Sequence, residues 1–196
     1  MKEIIFVTSN KGKQQSAQKY FKEKEIKINC YEYEIDEPQI NDIEYIAKHK
    51  VLQAYEKVKK PCIALDAGFY IPNYPNKPNF PGAFPKRELL DKIGIDGLLK
   101  EMKGITNREC YFKECLAYYD GKVLLYFYGI AQGTLSYEKK GTNSNKKWSD
   151  LWYVFIPLNC DKTLAEMNDE ERTNRNDNHT SALKEFANWL TSNDTH

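Results

Sequence analysis

The 196 residues carry 29 Lys and Arg against 28 Asp and Glu, a formal net charge of +1, with 41% hydrophobic and 29% charged residues. This composition excludes a disordered chain and gives no global field to hold a polyanion, so nucleic acid is not an expected partner and anion binding must come from local placement. The length suits one domain spanning residues 1–196, five cysteines without close-pair spacing read as buried reduced thiols, and the short apolar stretch near the start is too brief for a signal peptide or a membrane span, which together predict a cytoplasmic protein with no membrane contact.

The run IIFV and the polar Thr-Ser-Asn that follows predict a buried strand over residues 3–9 entering a loop. Residues 11–24 read as a helix with one narrow apolar face made by Ala17, Tyr20 and Phe21, and residues 27–34 alternate as a second strand. Over residues 42–58 a 3.6-residue period runs through Ile43, Ile46, Ala47, Val51, Ala54, Tyr55 and Val58, with Asp42 as its N-cap. Residues 62–71 form a nearly continuous apolar run, as in a central strand covered on both faces, broken by the carboxylate of Asp66. The proline-rich residues 72–85 predict a long ordered loop without regular structure. Helix resumes near Lys86 and breaks at Gly94 or Gly97. Two further strands, 109–119 and 123–132, flank the hairpin signal Asp120-Gly121, and residues 137–147 read as a flexible basic loop. A strand over residues 151–157 and a helix over residues 181–190 complete the chain.

Chemistry-bearing residues fall at the junctions. Thr8, Ser9, Asn10, Lys11, Gly12 and Lys13 sit where a strand ends and a helix begins, and free backbone N–H groups beside a lysine suit phosphate, although an ordinary polar turn reads the same way. The spacing is not that of a Walker A loop. Helical spacing puts Lys50 on the buried face of its helix, where an ammonium needs either a structural carboxylate or an anionic ligand. Asp66, near the end of its strand, needs a metal, a cation or water, or else caps a turn at Gly68. Glu37 adds a carboxylate after the second strand, and two convergent carboxylates suit a Mg²⁺ ion that also touches substrate phosphates.

Taken in order, these motifs resemble the Ham1, or inosine triphosphate pyrophosphatase, family, which hydrolyses deaminated purine triphosphates such as ITP, dITP and XTP. VTSNKGK resembles the family's phosphate motif T-x-N-x-x-K and implies that role for Thr8, Asn10 and Lys13. DEPQ with IEYIAKHK resembles the acidic loop and lysine-bearing helix, implying Glu37 as a metal ligand and Lys50 as a substrate contact. LDAG resembles the family's acidic pair and glycine, with Asp66 second and Leu65 replacing the first acid. NFPGAFPK resembles the proline-glycine-aromatic loop, implying that Phe84 stacks on the base and Lys86 meets the ligand. VFIP and TLAEM match the family's F-x-P and T-x-A-E-M spacing.

Two segments depart from the family pattern. WSDLWYVF stands in place of F-G-W-D-P, offering Trp148, Asp150 and Trp152 as replacements, and NDNHTSAL retains His179 without a following arginine, while Arg172 stands near a family lysine. Asp150, Trp152, Arg172 and His179 are therefore the base-binding candidates, with Trp152 as a core residue and His179 as the start of the last helix being the structural alternatives.

The resemblance implies an α/β domain with a long twisted mixed sheet, helices on both sides and two lobes around a central cleft. It also implies Mg²⁺, a nucleoside triphosphate substrate, Asp66 and Lys50 as catalytic residues, and a homodimer. The rival readings are the same fold acting on a modified or pyrimidine triphosphate, suggested by the altered base segment, and a nucleotide-binding protein without catalysis, suggested by Leu65.

Overall fold

The computed structural model describes residues 3–22, 24, 26–32, 36, 38–142, 149–175 and 178–192. The chain divides into two compact units, the first made of residues 1–67, 114–129 and 180–196 and the second of residues 68–113 and 130–179.

In the first unit β1 (Glu3–Val7) pairs in parallel with β2 (Lys27–Tyr31), Val7 opposite Tyr31, and also with β3 (Cys62–Ile71), Phe6 opposite Ile63. Alternate strand residues Ile4, Phe6, Ile63 and Leu65 join Ala17 and Phe21 of α1 (Lys11–Lys22) and Leu183, Phe186 and Leu190 of α5 (Ala182–Ser192) in one buried cluster. The intervening Ile5, Val7, Cys62 and Ala64 are buried as well, so β1 and the first half of β3 are covered on both faces, as their apolar runs require. Against the second face lies α2 (Ile43–Val58), which buries Ile46, Ala47, Val51 and Ala54. Asp42 caps it as the sequence predicts, accepting from the backbone N–H groups of Glu44 and Tyr45 at 2.9 and 3.2 Å.

The second unit contains β4 (Phe80–Gly82), a π-helical segment (Pro85–Leu90), α3 (Gly94–Glu101), a 3₁₀ turn (Asp150–Tyr153), β7 (Phe155–Pro157) and α4 (Asp169–Asn174). Its core gathers Phe69, Leu89, Leu98, Met102, Leu135, Val154 and Phe155, with the Phe112 ring tilted against Phe69 and edge-on to Phe155 at centroid separations of 4.7 and 4.9 Å. β5 (Glu109–Tyr119) and β6 (Leu124–Leu135) run through both units, and the seven-stranded mixed sheet has the order β2-β1-β3-β5-β6-β7, with β4 antiparallel to β3.

Three local expectations change, and one helix appears that the sequence pattern did not predict. The proline-rich loop contains a strand, because Phe69, Tyr70 and Ile71 offer it an antiparallel partner. Leu151 opens no strand: the Ser149 hydroxyl accepts from its N–H at 3.2 Å and starts a 3₁₀ turn instead. The helix α4 is stabilised by a capping box in which Asn168 and Glu171 exchange side-chain and backbone hydrogen bonds. Asp66 is the fifth of ten β3 residues, and Gly68 lies within the same strand, so neither a strand end nor a turn at Gly68 explains the carboxylate.

Candidate active site

Thr8 is held at three points as β1 ends. Its N–H donates to the Tyr31 carbonyl at 3.1 Å, its carbonyl accepts from the Gln14 carboxamide at 2.9 Å, and its hydroxyl oxygen accepts from the Asn10 N–H at 3.1 Å. Asn10 in turn begins α1: its side-chain oxygen accepts from the Lys13 N–H at 3.1 Å and its carbonyl from the Gln14 N–H at 3.0 Å. Because the Asn10 oxygen faces the helix, its NH₂ faces away. Among the described residues neither this NH₂ nor the Thr8 hydroxyl hydrogen has a protein partner, so both remain available to an anion at the helix N-terminus.

Lys13 reaches from the first turn of α1 to the Leu65 carbonyl of β3, at 2.8 Å. On the next residue, Asp66 Oδ2 meets the Lys50 ammonium at 2.7 Å, and Oδ1 accepts from the Ala67 N–H at 2.8 Å. The Asp66 side chain is 8% exposed and that of Lys50 21%, so each charge is compensated where water is scarce. Asp66 thus supplies the structural carboxylate, one of the two partners predicted for Lys50. Strand alternation explains the asymmetry at the acidic pair: Asp66 points toward α2, whereas Leu65 points into the cluster with Phe21 and Phe186 and is 4% exposed. Leucine at position 65 is thus a core residue that contributes only its carbonyl to the site.

Glu37 lies outside the described residues, as does Trp148. Asp36, just before Glu37, is tied to α2 by both ends of the Gln53 carboxamide, at 3.4 and 3.3 Å. No three His, Cys, Asp or Glu side chains gather as a metal site among the described residues. Mg²⁺ does not need such a cluster, since it is commonly held by one or two carboxylates together with substrate phosphates and water. Asp66 fits that role, because each of its oxygens makes one hydrogen bond and retains a further lone pair.

The remaining candidates belong to the second unit. Phe84 is half-buried, with the Arg87 guanidinium 4.1 Å above its ring, so a cation covers one face of the predicted base platform. Lys86 is exposed in the π-helical segment, Asp150 is exposed at the start of the 3₁₀ turn, and His179 is half-buried. Trp152 and Arg172 do come together, the guanidinium lying 5.3 Å from the indole centre. Arg172 is fixed there by the carbonyls of Leu164, at 3.1 Å, and Met167, and by Asp169. Trp152 also packs against the core of this unit, so it serves the fold whatever else it contacts.

Gln14, Gln53 and Arg87 were not legible as site-supporting residues. Glutamine on a helix and arginine after a proline carry no periodic or spacing signal, and their roles come only from what lies across from them.

The chain matches the model of the Ham1 family over residues 4–189. It is 33% identical to the dITP/XTP pyrophosphatase of Thermococcus kodakarensis over 192 residues, covering 97% of this chain and 98% of that protein. It is 32% identical to the dITP/XTP pyrophosphatase of Saccharolobus solfataricus over 189 residues, covering 96% and 94%. Among solved structures, a HAM1 protein from Coxiella burnetii superposes with a TM-score of 0.79 at 20% identity, covering 98% of this chain and all of that one. The Staphylococcus aureus Ham1 protein does so with a TM-score of 0.77 at the same identity and coverage.

Proposed function

The chain belongs to the Ham1 family, and from that premise we propose that it hydrolyses a non-canonical purine nucleoside triphosphate, of the dITP and XTP class, to the monophosphate and pyrophosphate. The observation that carries the reading is the pairing of Lys50 with Asp66 beside the Lys13-bearing turn, at positions matching the family's ordered motifs. Relatives bearing the name dITP/XTP pyrophosphatase across nearly their whole length support the substrate class.

In this mechanism the Thr8 hydroxyl, the Asn10 NH₂, the α1 N-terminus and Lys13 grip the phosphates. Asp66 orients a water toward the α-phosphorus and takes its proton as the new P–O bond forms. The α–β bridging P–O bond then breaks and pyrophosphate leaves. Lys50, released from Asp66 or shared with it, offsets charge growing on the phosphate oxygens, a large contribution where the reaction is mainly positioning and charge stabilisation. Asp66, with Glu37 from the resemblance, would hold Mg²⁺, which when bound supplies further charge neutralisation at those oxygens. For the second unit the resemblance offers Phe84, Trp152, Arg172 and Lys86 as nucleotide contacts, and it extends to a homodimer, which light scattering would test.

A triphosphate panel assayed for pyrophosphate release, with and without Mg²⁺, tests the proposal. We expect dITP and XTP to be cleaved well ahead of ATP and dGTP, and only with the metal. Preference for a pyrimidine or modified triphosphate would favour the altered-substrate reading, which the changed base segment around Trp152 supports. Binding without any hydrolysis would favour the non-catalytic one.

A further inference from the structure

We infer that Gln14, a residue outside the motif that identifies the phosphate turn, is a positioning residue for triphosphate binding, acting through Thr8. The inference rests on the phosphate-binding reading of Thr8 and Asn10. Gln14 lies one turn into α1, half-buried, and its carboxamide nitrogen donates to the Thr8 carbonyl at 2.9 Å. The same nitrogen makes a longer contact, 3.5 Å, with Glu32 Oε1 just after β2. Its backbone N–H meanwhile closes the first helical turn on the Asn10 carbonyl at 3.0 Å. One side chain therefore ties the end of β1, the start of α1 and the exit of β2 together.

The physical consequence is preorganisation. The Thr8 hydroxyl, whose oxygen accepts from the Asn10 N–H, is positioned by the peptides on either side of it. The Tyr31 carbonyl fixes the N–H side, and the Gln14 amide fixes the C=O side. Without the amide, the Thr8–Ser9 peptide loses the bond to its carbonyl and is held on that side only by the Asn10 N–H on the Thr8 hydroxyl, so part of the ordering of the hydroxyl and of the Asn10 NH₂ is left to the moment the phosphate arrives. That ordering cost falls on binding rather than on the chemical step, because Asp66 and Lys50 are held by other contacts.

Two variants separate this role from a merely structural one. Gln14→Leu removes the amide, and Gln14→Glu keeps its shape while replacing the donor with a carboxylate facing Glu32. With the donor lost, KM for dITP and the calorimetric Kd for inorganic pyrophosphate should both rise about three- to tenfold, the span of one neutral hydrogen bond, with the loss falling on KM rather than kcat. Should Gln14→Leu fold poorly, Gln14→Glu, with the same side-chain volume, carries the test. A wild-type chain that cleaves dITP, beside variants whose KM and pyrophosphate Kd match it, overturns the inference and leaves the proposed function standing. Variants that lose kcat at constant KM also overturn it. A wild-type chain that neither cleaves dITP nor binds pyrophosphate overturns the proposed function and this inference with it.

Discussion

Lys50 and Asp66 lie 16 residues apart in sequence and meet at 2.7 Å, so the buried Asp66 carboxylate is compensated by an ammonium from the neighbouring helix. Lys13 docks on the residue immediately before, at the Leu65 carbonyl. Two cations from two helices thus converge on consecutive residues of one strand.

If Asp66 is the general base, Asp66→Asn should lower kcat by about 10²–10⁴, the usual reach of general-base catalysis, with far-UV circular dichroism unchanged. Turnover within a factor of two of wild type would remove Asp66 from the chemistry. Lys50→Met should also slow turnover, and it leaves the Asp66 carboxylate without its counter-ion. Urea unfolding should then show a loss of about 1–3 kcal/mol, below the cost at a fully buried pair because Lys50 keeps 21% exposure.

Lys13→Ala should act mainly on KM for the triphosphate, by roughly tenfold or more, as expected for losing one charge-assisted hydrogen bond. Steady-state kinetics over a wide dITP range would measure it. An unchanged KM would assign Lys13 to holding the Leu65 carbonyl and not to the phosphates.

Arg108 is the central polar residue of the second unit, although nothing in TNREC singles it out. Its buried guanidinium donates to the carbonyls of Met102, Leu135 and Ser136 at 2.8, 2.9 and 2.8 Å and lies under the Tyr137 ring, 4.6 Å from its centre. Lysine cannot reproduce that fork, so Arg108→Lys should destabilise the protein by about 2–4 kcal/mol through carbonyls left unsatisfied in the interior. A chemical-denaturation midpoint equal to wild type would contradict this.

The Asp120 carboxylate organises the β5–β6 turn, accepting from the N–H groups of Val123 at 2.8 Å and Lys122 at 2.9 Å. The Val123 bond is the main reason its pKa falls below the ordinary aspartate value, with the Lys122 bond and charge adding to it. A carboxylate with a depressed folded-state pKa contributes stability that is fully present above its unfolded pKa of about 3.9 and is lost as pH falls through the lower folded value. The stability difference between wild type and Asp120→Ala should therefore be constant from pH 7 to 5 and shrink below about pH 4. Denaturation series at those pH values would reveal a different window if another group governs the turn.

Regular elements were legible where their signal is local. The α2 helix and its Asp42 cap, the whole of β3 and β5, and the Asp120-Gly121 turn follow from period, cap and turn chemistry within a few residues. Leu151 misled for the opposite reason, since a short apolar run has no period of its own and a single Ser149 hydroxyl decided its conformation. The strand β4 was hidden because its partner is supplied by another part of the chain.

The sequence by itself determined the α/β class, the order of the motifs and hence the family, because hydrophobic periods and motif spacings are properties of neighbouring residues. Only the tertiary structure decided that Lys50 takes Asp66 as its partner, that Leu65 belongs to the core, and that Gln14 fastens Thr8. Those outcomes depend on which strand face turns toward which helix and on where each side chain ends once the chain has folded, and neither hydrophobic period nor motif spacing records either.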